Sequence, residues 1–224
     1  MIKEDQNGSI QINDKKIINK FIMDPDFPFL ISFPRTGSHW LRMLMELYFK
    51  KPALVRIFYY KELKEFTCCH KHDPELNIER ANVIYLCREP VDTVYSQLSY
   101  YKEDIEDKER IIYWADLYCK HLSKWLLDEK FTRKKTVMTY EGLKNNLFEE
   151  FAKITCHFSV PFDREKLEKA RVRVSMREVK NKTIHDKQVI NLTGQYAERR
   201  SYFRKNFGNF VMERINLQDD RLRL

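Results

Sequence analysis

Two kinds of apolar pattern alternate along this chain. Short, nearly continuous apolar runs, typical of buried strands, occupy residues 29–33 and 81–87, and a third short strand is predicted at residues 134–140. Segments in which apolar residues recur at helical spacing occupy residues 40–48, 108–130 and 143–158. This alternation predicts an α/β fold, built as a central, mostly parallel β-sheet flanked by helices.

The length and the N-terminal pattern predict the domain organisation. A chain of 224 residues is long enough for one α/β domain with a full core and too short to favour two. Residues 1–24 are polar and mixed in charge, which predicts a loosely held leader before a single domain at 25–224. The alternative is that isoleucines of this segment form a small edge element, namely Ile10, Ile12, Ile17 and Ile18.

The charge changes the expected partners. A net charge of +8 and an isoelectric point of about 9.1 favour anionic ligands. The basic residues are interspersed with acidic ones, so the composition gives no basic arm of the kind that binds nucleic acid. We therefore predict a small-molecule or saccharide substrate, with no nucleic acid or membrane partner, and leave a homodimer open.

The cysteines bear on the cellular compartment. The chain has five cysteines, two of them adjacent, and this pattern does not resemble a disulfide framework. No N-terminal signal-peptide pattern or transmembrane run is present in the sequence. We predict a cytoplasmic protein.

The segment that carries the most chemical information joins the first long strand to the following helix. After the apolar run 29–33, Pro34 breaks the strand and Gly37 tolerates unusual backbone angles. Thr36, Ser38 and the first amides of the helix would face an anion, with Arg35 beside it. The alternative interpretation is an ordinary polar helix cap. The loop is not a nucleotide-kinase P-loop, which needs a second glycine and a following lysine.

A second strand-to-helix junction has similar chemistry. The run 81–87 is followed by Arg88, and Pro90 suits the first turn of a helix in which Ser96 lies two turns further on. Ligands of α/β folds collect beyond the carboxyl ends of the strands, where an arginine and a hydroxyl suit a phosphate. The alternative is that Arg88 merely pairs with Glu89 or Asp92.

Together these two motifs resemble the sulfotransferases that use 3′-phosphoadenosine 5′-phosphosulfate (PAPS). Phe33–Trp40 is similar to their 5′-phosphosulfate loop, aromatic-Pro-Lys-Ser/Thr-Gly-Thr/Ser-Thr-Trp, and the Arg-x7-Ser spacing of Arg88 and Ser96 is similar to their 3′-phosphate motif. The resemblance implies a P-loop-NTPase-like sulfotransferase fold. It also implies in-line transfer of a sulfonyl group from PAPS to a hydroxyl or amine of a small-molecule or glycan acceptor, with PAP as the product and no metal.

The resemblance also implies roles for individual residues. His72, followed by Asp73-Pro74, matches the family's Lys-Thr-His-x-Pro histidine and would be the general base. Arg35 stands in the place of the family's catalytic lysine, and His70 stands where a second lysine is expected. The cofactor-binding residues it implies are Arg35, Thr36, Gly37, Ser38, His39, Trp40, Arg88, Ser96, Tyr140, Arg199 and Arg200.

Several of those assignments have alternatives. Trp40 and Tyr140, which the resemblance places near the adenine, suit core packing equally well. Arg199-Arg200-Ser201 aligns with the family's Arg-Lys-Gly only if a deletion is allowed, and the glycine is lost. Two rival functions also stay open: a nucleotide kinase or NTPase with a degenerate loop, and a non-catalytic basic module for nucleotides or polyanions.

One cluster of residues contains side chains that can bind zinc. Cys68, Cys69, His70 and His72 are all potential ligands. Adjacent cysteines point apart on a strand, however, and no second ligand pair follows at the spacing of a zinc finger. We therefore predict no metal.

Overall fold

The computed structural model describes residues 2–4, 10–60, 64–183 and 194–218. Its strands are β1 (Ile2–Glu4), β2 (Ile10–Ile12), β3 (Phe29–Ser32), β4 (Arg56–Ile57), β5 (Cys69–Lys71), β6 (Asn82–Cys87) and β7 (Lys134–Thr139). Its helices are α1 (Lys15–Ile22), α2 (Ser38–Phe49), α3 (Pro90–Tyr101), α4 (Lys108–Leu122), α5 (Tyr140–Asn145), α6 (Leu147–His157), α7 (Arg164–Arg173), α8 (Met176–Lys182) and α9 (Gly194–Gln218). A π-helical turn, Ser123–Leu127, continues α4.

The main sheet is parallel and positions the loops that matter for function. Its strand order is β5-β3-β6-β7, and every pairing in it is parallel. Phe29 lies opposite Cys69 on one side and Val83 on the other, so the three strands end at the same edge. Helices follow β3, β6 and β7 directly. The predicted α/β fold with a parallel sheet flanked by helices is confirmed.

The two faces of the sheet bury two separate hydrophobic cores. Alternate side chains of β3 and β6 point to opposite faces, as the period of a strand requires. Phe29, Ile31 and Tyr85 join the core that also contains Trp114 of α4 and Phe203 of α9. On the other face, α2, α6 and α7 supply the apolar cover, with Leu30, Ile84, Leu41, Phe151 and Leu167 in one cluster. Burial on both faces explains why these strands are continuous apolar runs rather than alternating ones.

Two predicted helices differ from the observed ones. The segment predicted as one helix at 108–130 is α4 followed by the π-helical turn. The segment predicted at 143–158 is divided into α5 and α6, because Asn146 has φ −142° and ψ 57° and interrupts the helix. Among the residues that the structure describes, no helix is long and apolar enough to cross a membrane.

Residues 10–22 are packed onto the rest of the domain. β2 pairs with β4, and Ile10 and Ile12 are buried in the core. Asp14 caps α1 by accepting hydrogen bonds from the amides of Lys16 and Ile17. Residues 10–12 thus form the small edge element that the isoleucines predicted as the alternative, because Ile10 and Ile12 bury one face of a short strand. Residues 1 and 5–9 lie outside the described part of the chain.

This packing predicts the effect of truncating Ile12. Ile12→Ala should lower the free energy of unfolding by about 3 kcal/mol, because a fully buried side chain leaves a cavity. Gln11→Ala is the matched control, since Gln11 is exposed on the same strand and should change stability by less than about 0.5 kcal/mol. Urea titration of both variants measures the difference, and equal small losses would contradict this placement of β2.

Candidate active site

The loop after β3 has a backbone conformation that requires its glycine. Arg35 and Gly37 both lie in the left-handed region, with φ 73° and φ 93°. A Cβ at Gly37 would lie 2.6 Å from Cδ2 of Tyr140, well inside van der Waals contact. Because Gly37 has no side chain to cap α2, the first amides of this helix receive no side-chain hydrogen bond from it. Such a helix start is suited to an anion.

Side chains from outside the loop hold its carbonyl groups. The Gln97 amide donates to the Pro34 carbonyl at 2.7 Å, and Arg88 donates to the Arg35 carbonyl at 3.1 Å. The Thr36 hydroxyl donates to the Phe33 carbonyl at 2.8 Å. Thr36 is buried, and its hydroxyl is used in this internal hydrogen bond. Hydrogen bonds from Gln97, Arg88 and Thr36 to these carbonyls thus fix the conformation of the loop.

Arg88 is the central cation of the site. It follows β6, and its guanidinium lies over the Tyr140 ring at 4.8 Å and 3.6 Å from an Asp92 carboxylate oxygen. Its Nε is buried and has no hydrogen-bond partner among the described residues. The predicted alternative, a pairing with Asp92, is present, but it does not use the whole guanidinium. Arg88 therefore lines the cavity described below with at least one N–H donor, on Nε, that is not satisfied within the protein.

Asp92 joins this cation to the last helix. It is buried, and its carboxylate accepts two hydrogen bonds from Arg200 and one from Arg204 at 3.1 Å. Burial acts to raise the pKa of Asp92, but the hydrogen bond from Arg200 and the charges of Arg88 and Arg204 outweigh it, and the pKa is lowered. A single ionised carboxylate therefore organises three arginines around one point.

His72 follows β5, and its hydrogen bonds define its tautomer. Its Nδ1 lies 2.8 Å from the Ser32 carbonyl oxygen, which can only accept. The proton of the neutral ring is therefore on Nδ1, and the lone pair is on Nε2. This is the form that a general base requires.

A buried pair on α4 and β6 fixes the backbone of His72. Nε2 of His121 donates to the His72 carbonyl at 2.8 Å, and the Tyr85 hydroxyl lies 3.0 Å from Nδ1 of His121. Burial lowers the pKa of His121 to about 4, against the opposing effect of its bond to the His72 carbonyl. His121 is thus neutral near pH 7, with its proton on Nε2 and its Nδ1 accepting from Tyr85.

His70 has a different environment from the lysine expected at its place. Its Nε2 lies 2.9 Å from the Ser32 hydroxyl, and its ring contacts that of His72 edge to face at 4.6 Å. Burial, followed by the charge of Arg42, lowers the pKa of His70 well below its ordinary value. His70 is therefore neutral and supplies no positive charge to the site.

Nearly all the residues predicted from the sequence line one cavity of about 340 Å³. They are Arg35, Gly37, Ser38, His39, Trp40, His72, Arg88, Ser96, Tyr140 and Arg200. Thr36 is not among them because its hydroxyl points into the loop, and Arg199 is exposed and outside the cavity. Arg199 and Arg200 are consecutive residues of α9, so they point to different sides of the helix.

Other lining residues did not emerge from the sequence. They are Lys144, Met176, Val179 and Tyr196, contributed by α5, α8 and the start of α9. The hydroxyl of Tyr95, one residue before Ser96, donates to the Tyr196 carbonyl at 2.9 Å and holds α9 against α3. Local patterns cannot show that these helices converge on the cavity. Asp92, in contrast, was named from the sequence as a possible partner of Arg88, because it lies one helical turn further along the chain.

The cysteines and histidines that could bind zinc lie on β5 and directly beside it. Cys68 and Cys69 are buried, and burial raises the pKa of both thiols, so they are protonated near pH 7. Within the described ranges, no group of three histidine, cysteine, aspartate or glutamate side chains is arranged to hold a metal ion.

These features define a class of protein and then a family. The carboxyl edge of the parallel sheet combines a glycine-containing loop, clustered arginines and a histidine. This combination is typical of α/β enzymes that bind anionic groups. Residues 61–209, more than half of the chain, match the model of the sulfotransferase domain family. The chain therefore belongs to this family. No curated protein sequence matches it significantly.

Solved structures share its fold. A mouse sulfotransferase, SULT7A1, complexed with PAP has 16% identity and a TM-score of 0.51, covering 95% of this chain and 98% of its own. Retinol dehydratase in a complex with retinol and PAP has 13% identity and a TM-score of 0.60, with coverages of 98% and 90%. The same enzyme with androsterone and inactive cofactor PAP has 13% identity and a TM-score of 0.59, with coverages of 100% and 91%. At these identities the likeness supports the fold alone.

The low pKa of His121 predicts how stability depends on pH. Between its ordinary pKa of 6.5 and its folded value of about 4, the unfolded chain binds a proton that the folded chain does not. Stability should therefore fall as the pH is lowered through this range, by up to about 1.4 kcal/mol per pH unit for one histidine. His157, whose pKa burial also lowers to about 4, adds to the slope.

The test compares urea unfolding of the wild type and His121→Gln between pH 4 and 6.5. The variant should show a smaller slope, but not a zero slope, because His157 remains. An identical slope in both proteins would mean that His121 is not held neutral in the folded state.

Proposed function

We propose that this sulfotransferase-family protein transfers a sulfonyl group from PAPS to a hydroxyl or amine of a small-molecule or glycan acceptor. The observation that carries the proposal is the convergence of three features on one cavity. They are the left-handed Gly37 loop, the partly exposed Arg88 with its buried, unpartnered Nε, and His72 in the tautomer of a base. PAP in the neighbouring structures supports the choice of nucleotide.

The residues present fit the two anionic groups of PAPS. The Gly37 loop would hold the 5′-phosphosulfate, because its left-handed turn leads directly into the N-terminus of α2, which has no side-chain cap. Arg88 and Arg200, with the Ser96 hydroxyl, would bind the 3′-phosphate, with the unpartnered Nε of Arg88 as one donor. Trp40 and Tyr140, whose ring centroids are 6.1 Å apart, would flank the adenine.

The chain supplies charge stabilisation and proton transfer to this chemistry. PAPS provides the sulfonyl group on a phosphate leaving group. Nε2 of His72 would take the proton of the acceptor hydroxyl or amine, while Nδ1 stays bonded to the Ser32 carbonyl. Arg35, which lies over the Tyr100 ring at 5.2 Å, would neutralise charge that develops on the leaving phosphate. Because arginine does not release its proton near neutral pH, Arg35 would act only as a fixed charge.

The remaining expectations concern the surroundings of the reaction. His70 is neutral and would not replace the second lysine of the family motif, so Arg35 would supply the main positive charge near the transferred group. A metal-independent reaction and a cytoplasmic location remain predictions from the sequence. The sequence also leaves a homodimer open.

Calorimetric binding of PAP, 5′-AMP and ATP, with and without magnesium, tests the proposal. PAP should bind without metal and more tightly than the other two, because only PAP carries a 3′-phosphate. Arg88→Ala should weaken PAP binding by about 2 kcal/mol, or roughly 30-fold, through loss of a charge-assisted contact. Arg199→Ala is the matched control, since this arginine is exposed outside the cavity, and it should change the affinity little.

Other outcomes would separate the rival functions. Magnesium-dependent ATP binding would favour a kinase or NTPase. Equal affinity for all three nucleotides, lost with rising salt, would indicate a basic binding module.

A further inference from the structure

The C-terminal end of α4 and the π-helical turn that follows it contact the backbone immediately after β5. His121, Lys124 and Trp125 lie three and four residues apart on this helix and all donate hydrogen bonds to the segment that begins at His72. The π-helical turn spans Ser123–Leu127 and so includes two of these donors. Such turns are rare in proteins, and those that occur are often found at functional sites.

The Lys124 ammonium forms the centre of a tight loop. It donates to the Asp73 carboxylate at 2.8 Å, to the Leu76 carbonyl at 2.9 Å and to the Ile78 carbonyl at 2.6 Å. An ammonium has three N–H donors, so its whole hydrogen-bonding capacity is spent on residues 73–78. Residues 73–78 thus surround one ammonium group, which belongs to a partly exposed lysine.

Asp73 is held as firmly from its own side. It is buried, its Oδ1 accepts from the Ile78 amide at 3.0 Å, and its Oδ2 accepts from the Trp125 indole at 3.0 Å as well as from Lys124. Its φ of 49° lies in the left-handed region, which costs energy for a residue with a side chain. The hydrogen bonds to Lys124 and Trp125 keep Asp73 in this conformation, which sets the direction in which the chain leaves His72.

A purely stabilising role explains this arrangement poorly. A buried ion pair adds little stability compared with apolar packing of similar volume, whereas it specifies one geometry. The geometry specified here is that of the residue next to His72, while His121 holds the His72 carbonyl. A displaced backbone would move His72 Nδ1 away from the Ser32 carbonyl, and the ring would lose the bond that selects its tautomer.

We propose that Lys124, Trp125 and His121 are positioning residues that lock the His72–Asp73 turn, so that His72 presents the lone pair of Nε2 to the cavity. The inference rests on the proposed role of His72 as the base. None of the three is proposed to touch the substrate. They act through Asp73 and through the His72 carbonyl.

The test uses NMR of the isotope-labelled imidazole rings, which reports which ring nitrogen carries the proton, with His72→Gln to assign the signal. In the wild type at mildly alkaline pH, His72 should be a single Nδ1–H tautomer. In Asp73→Asn and Lys124→Met it should become a mixture of tautomers. In the same variants kcat for sulfonyl transfer should fall on the order of 100-fold, with PAP affinity unchanged. Lys120→Met, which removes an exposed charge from the same helix, is the matched control and should keep both properties.

The outcomes distinguish this inference from the proposed function. If Lys124→Met does not fold, the nearly isosteric Asp73→Asn decides the question alone. A folded Asp73→Asn that keeps the single tautomer and the wild-type kcat would overturn the inference. If the tautomer changes as expected but the wild type transfers no sulfonyl group, the positioning stands and the proposed function fails.

Discussion

The parallel pairing of β3 with β5 and β6 is the constraint on which the rest of the site depends. Because the strands run in one direction, the Gly37 loop, His72 and Arg88 all follow strand ends at one edge of the sheet. A shift of one residue in either pairing would turn the strand side chains to the opposite core, and burial on both faces opposes such a shift. The Ser32 carbonyl, at the last residue of β3, accepts from His72 at the end of the neighbouring strand. The tautomer of His72, on which its proposed role as a base rests, is thus a consequence of sheet register.

The charges grouped around one buried carboxylate determine what this edge can bind. Three arginines surround the single carboxylate of Asp92, and Glu89 pairs with Arg204, so the local balance stays positive. By contrast, the histidines near the base are neutral, because burial lowers the pKa of both His70 and His121. The site therefore separates a fixed positive region, suited to phosphate and sulfate, from a neutral region in which a proton can be taken up. This separation is what transfer of an anionic group to a neutral acceptor requires.

The sequence was informative wherever the relevant signal is local. The strand, turn and helix around Gly37, and the strand and helix around Arg88, were predictable because each lies within a short stretch with clear periodicity. The convergence of their residues on one cavity followed from the rule that parallel strands end together. Tyr140, placed by resemblance after the next strand, also lies in that cavity.

The missed features depend on contacts between distant residues. The isoleucine pattern allowed a small edge element that includes Ile12, but no local pattern shows that this element pairs with residues near Ile57. Which of Arg199 and Arg200 lines the cavity depends on the rotation of α9 about its axis, and without the motif glycine the alignment of this segment has no reference point. The Lys124 contacts join residues about 50 positions apart, and the periodicity of residues 108–130 conceals the change from α-helix to π-helix.

The proposed sulfonyl transfer can be measured with radioactive sulfur from labelled PAPS and a panel of phenols, other alcohols, sugars and amines. We expect metal-independent labelling of at least one acceptor. We also expect a rate lowered roughly 10²- to 10⁴-fold in His72→Gln with PAP binding intact, and a severe loss in Arg35→Ala. Wild-type rates in His72→Gln, or tight PAP binding without transfer to any acceptor in the panel, would contradict the proposed function.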